Sequence, residues 1–192
     1  RGSPEQADGQ VINGRTEETR PSPLMADVMT YEEHKGSIKG KTIAWTGDAN
    51  NVVNSFIHAA SRFDFGFNLA CPADFGLDQA VREWAEAEGV RLMVTDDPAS
   101  AVAGADCVVA DTWVSMGDGD GETRHNRLAP YQVDSALMAK AKADAIFMHC
   151  LPAHRADAVT VGVMDGSQSV VWDEAANRVH APTRVLTCCL EG

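Results

Sequence analysis

The chain has 192 residues, with 16 lysines and arginines against 28 aspartates and glutamates, a formal net charge of −12. With 44% hydrophobic and 23% charged residues it is composed like a globular domain, which excludes a disordered acidic chain. The acidic balance leaves no basic field to attract nucleic acid or an anionic membrane, and no apolar run approaches the ~20 residues that span a bilayer.

Residues 1–10 (RGSPEQADGQ) are polar and unpatterned, and are expected to be a disordered or extraneous N-terminus. No signal-like segment opens the chain. Residues 23–34 carry Leu24, Met25, Val28 and Met29 at helical spacing, and a glycine turn at 36–40 follows. Residues 11–40 therefore read as an interdomain helix and linker, ahead of a domain over 41–192. Within that domain, 41–46 (KTIAWT) reads as a buried strand ending in Gly47-Asp48. Residues 50–64 read as a helix through Val52, Val53, Phe56, Ile57, Ala60 and Phe63. Strands are predicted over 67–71, 91–95, 107–112 and 145–150, with a sixth at 169–172. Helices are predicted over 77–88, from Asp97-Pro98 onward, and over 133–142. Residues 118–126 (DGDGETRHN) read as a polar, Gly-rich loop. Strands alternating with helices predict an α/β fold, a single Rossmann-like domain with a doubly wound parallel sheet. Ligands of such sheets sit beyond the carboxyl ends of the strands, so the loops at 47–51, 111–126 and 149–155 are the ones to read.

The first of these, Gly47-Asp48-Ala49-Asn50-Asn51, is not a dinucleotide fingerprint. A helix opening there offers backbone N–H groups to an anion such as a carboxylate. The ordinary alternative is that Asp48 or Asn50 simply caps the helix. In the second loop, Asp111 at a strand end suits an ammonium group, although Asp and Ser also satisfy turns and Trp113 and Met116 suit a core. In the third, Cys150 leaves an apolar strand beside His149; it reads as a nucleophile, a proton acceptor, a metal ligand or an inert buried thiol. Zinc would need further close ligands, and none lies within this segment. Five cysteines outside any CxxC framework indicate free thiols and a reducing, cytoplasmic setting, and Cys188-Cys189 read as core of a C-terminal helix. No metal and no cofactor is implied.

Taken together, DTWVSMG (111–117), HCLPAHR (149–155), WTGDANN (45–51) and VWDEAANR (171–178) resemble ornithine carbamoyltransferase, in the same order and at similar spacing, over about residues 11–190. The resemblance implies transfer of a carbamoyl group from carbamoyl phosphate to the δ-amine of L-ornithine, giving L-citrulline and phosphate in arginine biosynthesis. It implies that Asn51 binds the ornithine carboxylate and that Asp111 holds the α-ammonium, with Ser115 and the Met116 backbone closing around the amino acid. It places Cys150 by the δ-amine as proton acceptor, and Cys150, Leu151 and Arg178 on carbamoyl phosphate. It also implies a homotrimer. The family's Ser-Thr-Arg-Thr-Arg segment does not occur in this sequence, and its His-Pro-Cys-Gln segment reads Arg20-Pro21-Ser22-Pro23. The chain is thus expected to be the ornithine-binding half of an enzyme and inactive alone. A non-catalytic amino-acid-binding module and a carbamoyltransferase for another amine stay open as alternatives. Pro182 is expected to kink or shorten the last helix.

Overall fold

The computed structural model describes residues 19–113, 121–154 and 156–191. Among them, β1 (Thr42–Thr46), β2 (Gly66–Ala70), β3 (Leu92–Thr95), β4 (Cys107–Ala110) and β5 (Ile146–His149) form one sheet in the order β3-β2-β1-β4-β5. All pairings are parallel, with Thr46 opposite Ala70, Trp45 opposite Val109 and Ala110 opposite His149. The predicted α/β class and parallel sheet are therefore observed. From β1 the chain winds outward to β3, then returns to β4 on the other side of β1. That reversal opens a crevice beyond the carboxyl ends of β1 and β4.

Every strand but β3 is buried along most of its length, so side chains alternate between two apolar layers. On one face Ile43, Trp45, Phe67, Leu69 and Met148 meet Val53, Phe56 and Ile57 of α2 (Asn51–Phe63) and Leu24, Val28 and Tyr31 of α1 (Pro21–Lys35). On the other, Ala44, Val108, Ala110 and Phe147 meet Val102 of α4 (Pro98–Val102), Leu137 and Met138 of α6 (Ser135–Met138), and Val163 of α7 (Val161–Met164). The remaining helices are α3 (Gln79–Ala87), α5 (Gly121–Leu128) and α8 (Val171–Glu191), the last packed along α1. None of the described helices is long and apolar enough to cross a membrane. Phe56 ties the first layer together: its ring stacks on Phe67 with centroids 5.5 Å apart and tilts against Trp45 at 5.9 Å. Phe56→Ala is expected to cost about 3–5 kcal/mol in urea unfolding, from lost burial plus the cavity left behind. A loss under about 1 kcal/mol would show that this layer collapses around the gap.

Four expectations are corrected. The sixth strand at 169–172 is a single bridge, Ser169 opposite Phe147. Val171 and Trp172 already begin α8, whose first turn holds Asp173 and Glu174, acids that suit a helix N-terminus. The helix expected over 133–142 is shorter, because Asp134 caps it through Leu137 N at 2.7 Å and Val133 bridges to Val159 instead. Residues 121–126 of the loop expected over 118–126 form the start of α5. Pro182 sits inside α8, which runs on for nine residues beyond it, so the expected shortening at the proline does not occur. The proline deletes one N–H from the ladder, and the hydroxyls of Thr183 and Thr187 donate to carbonyls four residues back, at Val179 and Thr183.

Cys188 and Cys189, read as core, are exposed on that extension. Cys71, Cys107 and Cys150 are buried. Iodoacetamide under mildly alkaline conditions is thus expected to label Cys188 and Cys189 first, since burial withholds and protonates the other thiols. Intact mass and peptide mapping check this; rapid labelling of Cys150 would contradict its burial.

Candidate active site

The crevice is built by three strand ends. After β1, Gly47 turns the chain at φ +125°, a conformation that favours glycine, and its N–H donates to the Ala70 carbonyl at 2.9 Å. Asn50 then caps α2, its Oδ1 accepting from Val52 N at 2.9 Å and Val53 N at 3.4 Å. The capping alternative for Asn50 is thus observed. Asn51 is the first residue of α2 and half-buried. After β4, Asp111 is half-buried. Its Oδ1 accepts from Thr112 N at 2.8 Å, and its Oδ2 accepts from Asn50 Nδ2 at 3.0 Å, across the crevice.

Arg124 of α5 ties the same loops together from above. It donates to the Trp113 carbonyl, pairs with Asp48, and lies 4.8 Å over the Phe75 ring. Ser115 and Met116, expected to close around an amino acid, lie outside the described residues.

After β5, Cys150 follows directly from the His149–Ala110 pair, and Cys150 N donates to the Ala110 carbonyl at 3.3 Å. Asp111 and Cys150 therefore leave neighbouring strands at the same level. Leu151, expected at carbamoyl phosphate, comes next and is half-buried. Arg178 reaches in from α8, its Nη2 lying 3.2 Å from Cys150 Sγ, 3.0 Å from Glu174 Oε1 and 3.4 Å from Asp27 Oδ1. Both carboxyl groups are only 1% exposed. Glu174 also accepts from His149 N through Oε2 at 2.9 Å, so one acid fixes both the arginine and the end of β5. The His149 ring donates through Nδ1 to the Cys150 carbonyl at 2.5 Å, which leaves Nε2 unprotonated.

Burial governs the charges of this cluster. Desolvation, then the neighbouring Glu174, pushes the Asp27 carboxyl well above the ordinary range. Desolvation likewise raises Glu174, against the opposing pull of Arg178 and the His149 N–H. It lowers His149, keeping the imidazole neutral. Cys150 is raised well above the ordinary thiol value by burial, then by Asp111 and Asp27, with Arg178 opposing. Among few charges the guanidinium is the fixed one, its proton held more firmly still by Cys150, Asp27 and Glu174.

Of the residues expected at the site, Asn51, Asp111, Cys150 and Leu151 follow strand ends at one edge of the sheet, and Arg178 reaches the same edge from α8. Sequence reasoning missed Asp27, Glu174 and Arg124. Two signals were available: Glu174 stands four residues before Arg178 on one helix face, and Asp27 interrupts the apolar stripe of Leu24, Val28 and Tyr31.

Comparison with known proteins accords with this geometry. The family model for the aspartate/ornithine carbamoyltransferase Asp/Orn binding domain matches residues 39–189. An ornithine carbamoyltransferase of Rhodopseudomonas palustris is 60% identical over 180 residues, covering 94% of this chain and 58% of the relative. That of Bradyrhizobium diazoefficiens is 56% identical over 181 residues, covering 94% and 59%. The solved structure of the ornithine carbamoyltransferase from Pyrococcus furiosus superposes with a TM-score of 0.91 at 39% identity, covering 98% of this chain and 62% of that one. The chain spans less than two thirds of the length of these relatives. It belongs to the aspartate/ornithine carbamoyltransferase family and carries that family's Asp/Orn binding domain.

Proposed function

We propose that this chain is the ornithine-binding half of an ornithine carbamoyltransferase, which transfers the carbamoyl group of carbamoyl phosphate to the δ-amine of L-ornithine. One observation carries the reading: Asp111 and Cys150 leave adjacent strands side by side, with the Arg178 guanidinium on the cysteine sulfur. An amino acid whose α-ammonium meets Asp111 lays its side chain toward Cys150. Asn51 at the start of α2 suits its carboxylate, and Ser115 with the Met116 backbone completes the grip on the amino acid.

In the reaction the neutral δ-amine forms a bond to the carbamoyl carbon and the carbon–oxygen bond to phosphate breaks, so an anion leaves. Arg178, with Leu151 following the cysteine it touches, is suited to meet that anion's charge. The amine must also shed a proton. Burial makes the Cys150 thiolate scarce but, where present, a stronger base than an ordinary thiolate, which suits a proton acceptor. The other members of the buried cluster touch no substrate; Glu174 and Asp27 hold the guanidinium in place. The resemblance's remaining expectations, a homotrimer in cytoplasmic arginine biosynthesis, belong to the same reading.

Titrating L-ornithine into the ¹⁵N-labelled chain tests the binding half of the proposal. Saturable shifts confined to the loops after β1, β4 and β5 are expected, and weaker ones with D-ornithine. Shifts elsewhere, or equal response to the two enantiomers, would overturn it.

A further inference from the structure

The family reading gives the crevice its binding groups, but Asp111 does not hold itself in place. We infer that Asn50 is a positioning residue for Asp111, setting that carboxylate to receive the α-ammonium of L-ornithine; the inference rests on the reading of Asp111 given above.

The argument begins with the orientation of one amide. Asn50 Oδ1 faces two backbone donors, Val52 N and Val53 N, at 2.9 and 3.4 Å, so it must be the acceptor end. Nδ2 is thereby turned away from the helix, where it meets Asp111 Oδ2 at 3.0 Å. The cap thus fixes the donor and the donor fixes the carboxylate. Asp111 Oδ1 is held from the other side by the Thr112 N–H at 2.8 Å and the Thr112 hydroxyl at 3.4 Å. With both oxygens hydrogen-bonded, rotation of the carboxylate plane is restrained, and each oxygen retains acceptor capacity for an incoming N–H. Holding a charged group before its ligand arrives removes an ordering cost from binding. The two residues stand 61 apart in sequence and meet because β1 and β4 are neighbours at the reversal of strand order. A residue that served α2 alone would need only the oxygen.

Aspartate and serine cap helices about as well as asparagine, so capping and positioning can be separated. Asn50→Ser keeps an acceptor for α2 and loses the reach to Asp111; Asn50→Asp keeps the cap and sets a second carboxylate against the first. In the ligand-free ¹⁵N-labelled chain, both are expected to move the Asp111 and Thr112 resonances while those of Val52 and Val53, and the melting temperature, hold. The dissociation constant for L-ornithine is expected to rise about ten-fold in Asn50→Ser, the worth of a charged hydrogen bond, and further in Asn50→Asp. The exchanged pair Asn50→Asp with Asp111→Asn restores a donor facing an acceptor, so the Thr112 resonance is expected to recover while ornithine binding stays lost.

Unmoved Asp111 and Thr112 resonances, or ornithine affinity equal to the parent chain, would overturn the positioning role alone. If the parent chain itself gives no saturable ornithine response around Asp111, the reading of Asp111 and the inference fall together. Loss of the Val52 and Val53 resonances along with the melting temperature would show that Asn50 acts on the fold as a cap and not through Asp111.

Discussion

Arg178→Met is expected to cost the fold about 3–5 kcal/mol, among the largest effects of any single substitution in this chain. The guanidinium is the cation within 3.4 Å of two carboxyl groups that are each 1% exposed, and methionine fills its volume without its charge. Asp27 and Glu174 would then face each other in a dry site, and the fold must take up protons to keep them there. Arg178→Lys retains a charge but not the reach and planar geometry that bring Nη2 to both Glu174 Oε1 and Cys150 Sγ, so an intermediate loss is expected.

The pH dependence follows from the same cluster. Asp27 and Glu174 have folded-state pKa values raised above their unfolded ones. Such groups favour the folded state below about pH 4, and their contribution is lost as pH rises through the raised values. Removing Arg178 raises both further. The deficit of Arg178→Met is therefore expected to shrink toward acid and widen toward neutral pH. Asp27→Asn in the same background, which makes one partner permanently neutral, is expected to return part of the loss and flatten the slope. Urea unfolding at about pH 5 and about pH 8 reads all three variants. An Arg178→Met chain within about 0.5 kcal/mol of the parent at both values would mean the cluster is not electrostatically coupled.

The second large effect concerns Cys150 and Asp111 in an active context, made by joining this chain to the portion of the Rhodopseudomonas palustris relative that lies outside the match. Cys150→Ala is expected to lower kcat by about 10²–10⁴-fold, the span of a proton-transfer contribution, with the KM for ornithine much less affected. Its sulfur faces the reacting nitrogen in the proposed arrangement and anchors no other part of the amino acid. Asp111→Asn is expected to do the reverse, raising the ornithine KM about 10- to 150-fold by removing a charge-assisted hydrogen bond worth about 1.5–3 kcal/mol. In the parent enzyme the rate is expected to climb with pH through neutrality, since the amine and the buried thiol both gain competence by losing protons. An unchanged kcat in Cys150→Ala would remove the thiol from the mechanism.

How far these residues could be read in advance depended on whether their partners are local. The strands announced themselves as short apolar runs, and α2 as a stripe from Val52 to Phe63 after a capping asparagine. Asp111 and Cys150 stood at strand ends whose residue types suggest chemistry, whereas Arg178 entered only through the resemblance of its segment to ornithine carbamoyltransferase. Glu174 and Asp27 looked like ordinary acids of amphipathic helices, because their significance lies in packing α8 against α1 across 151 positions of sequence. The Asn50–Asp111 bond was hidden for the same reason; the local pattern shows a cap and nothing of the second partner. Ser169 fell short of a strand because acids at the start of α8 draw the next residues into a helix. Cys188 and Cys189 misled because apolar neighbours suggest a core, yet α8 extends past the body of the domain there and Leu186 and Leu190 are exposed beside them.

The most direct measurement is citrulline formation by the joined protein, with carbamoyl phosphate and L-ornithine supplied. Citrulline is expected from the joined protein, none from this chain alone, and strong loss with Asp111→Asn or Cys150→Ala. A folded joined protein that binds ornithine yet forms no citrulline would contradict the account and leave an amino-acid-binding domain in its place.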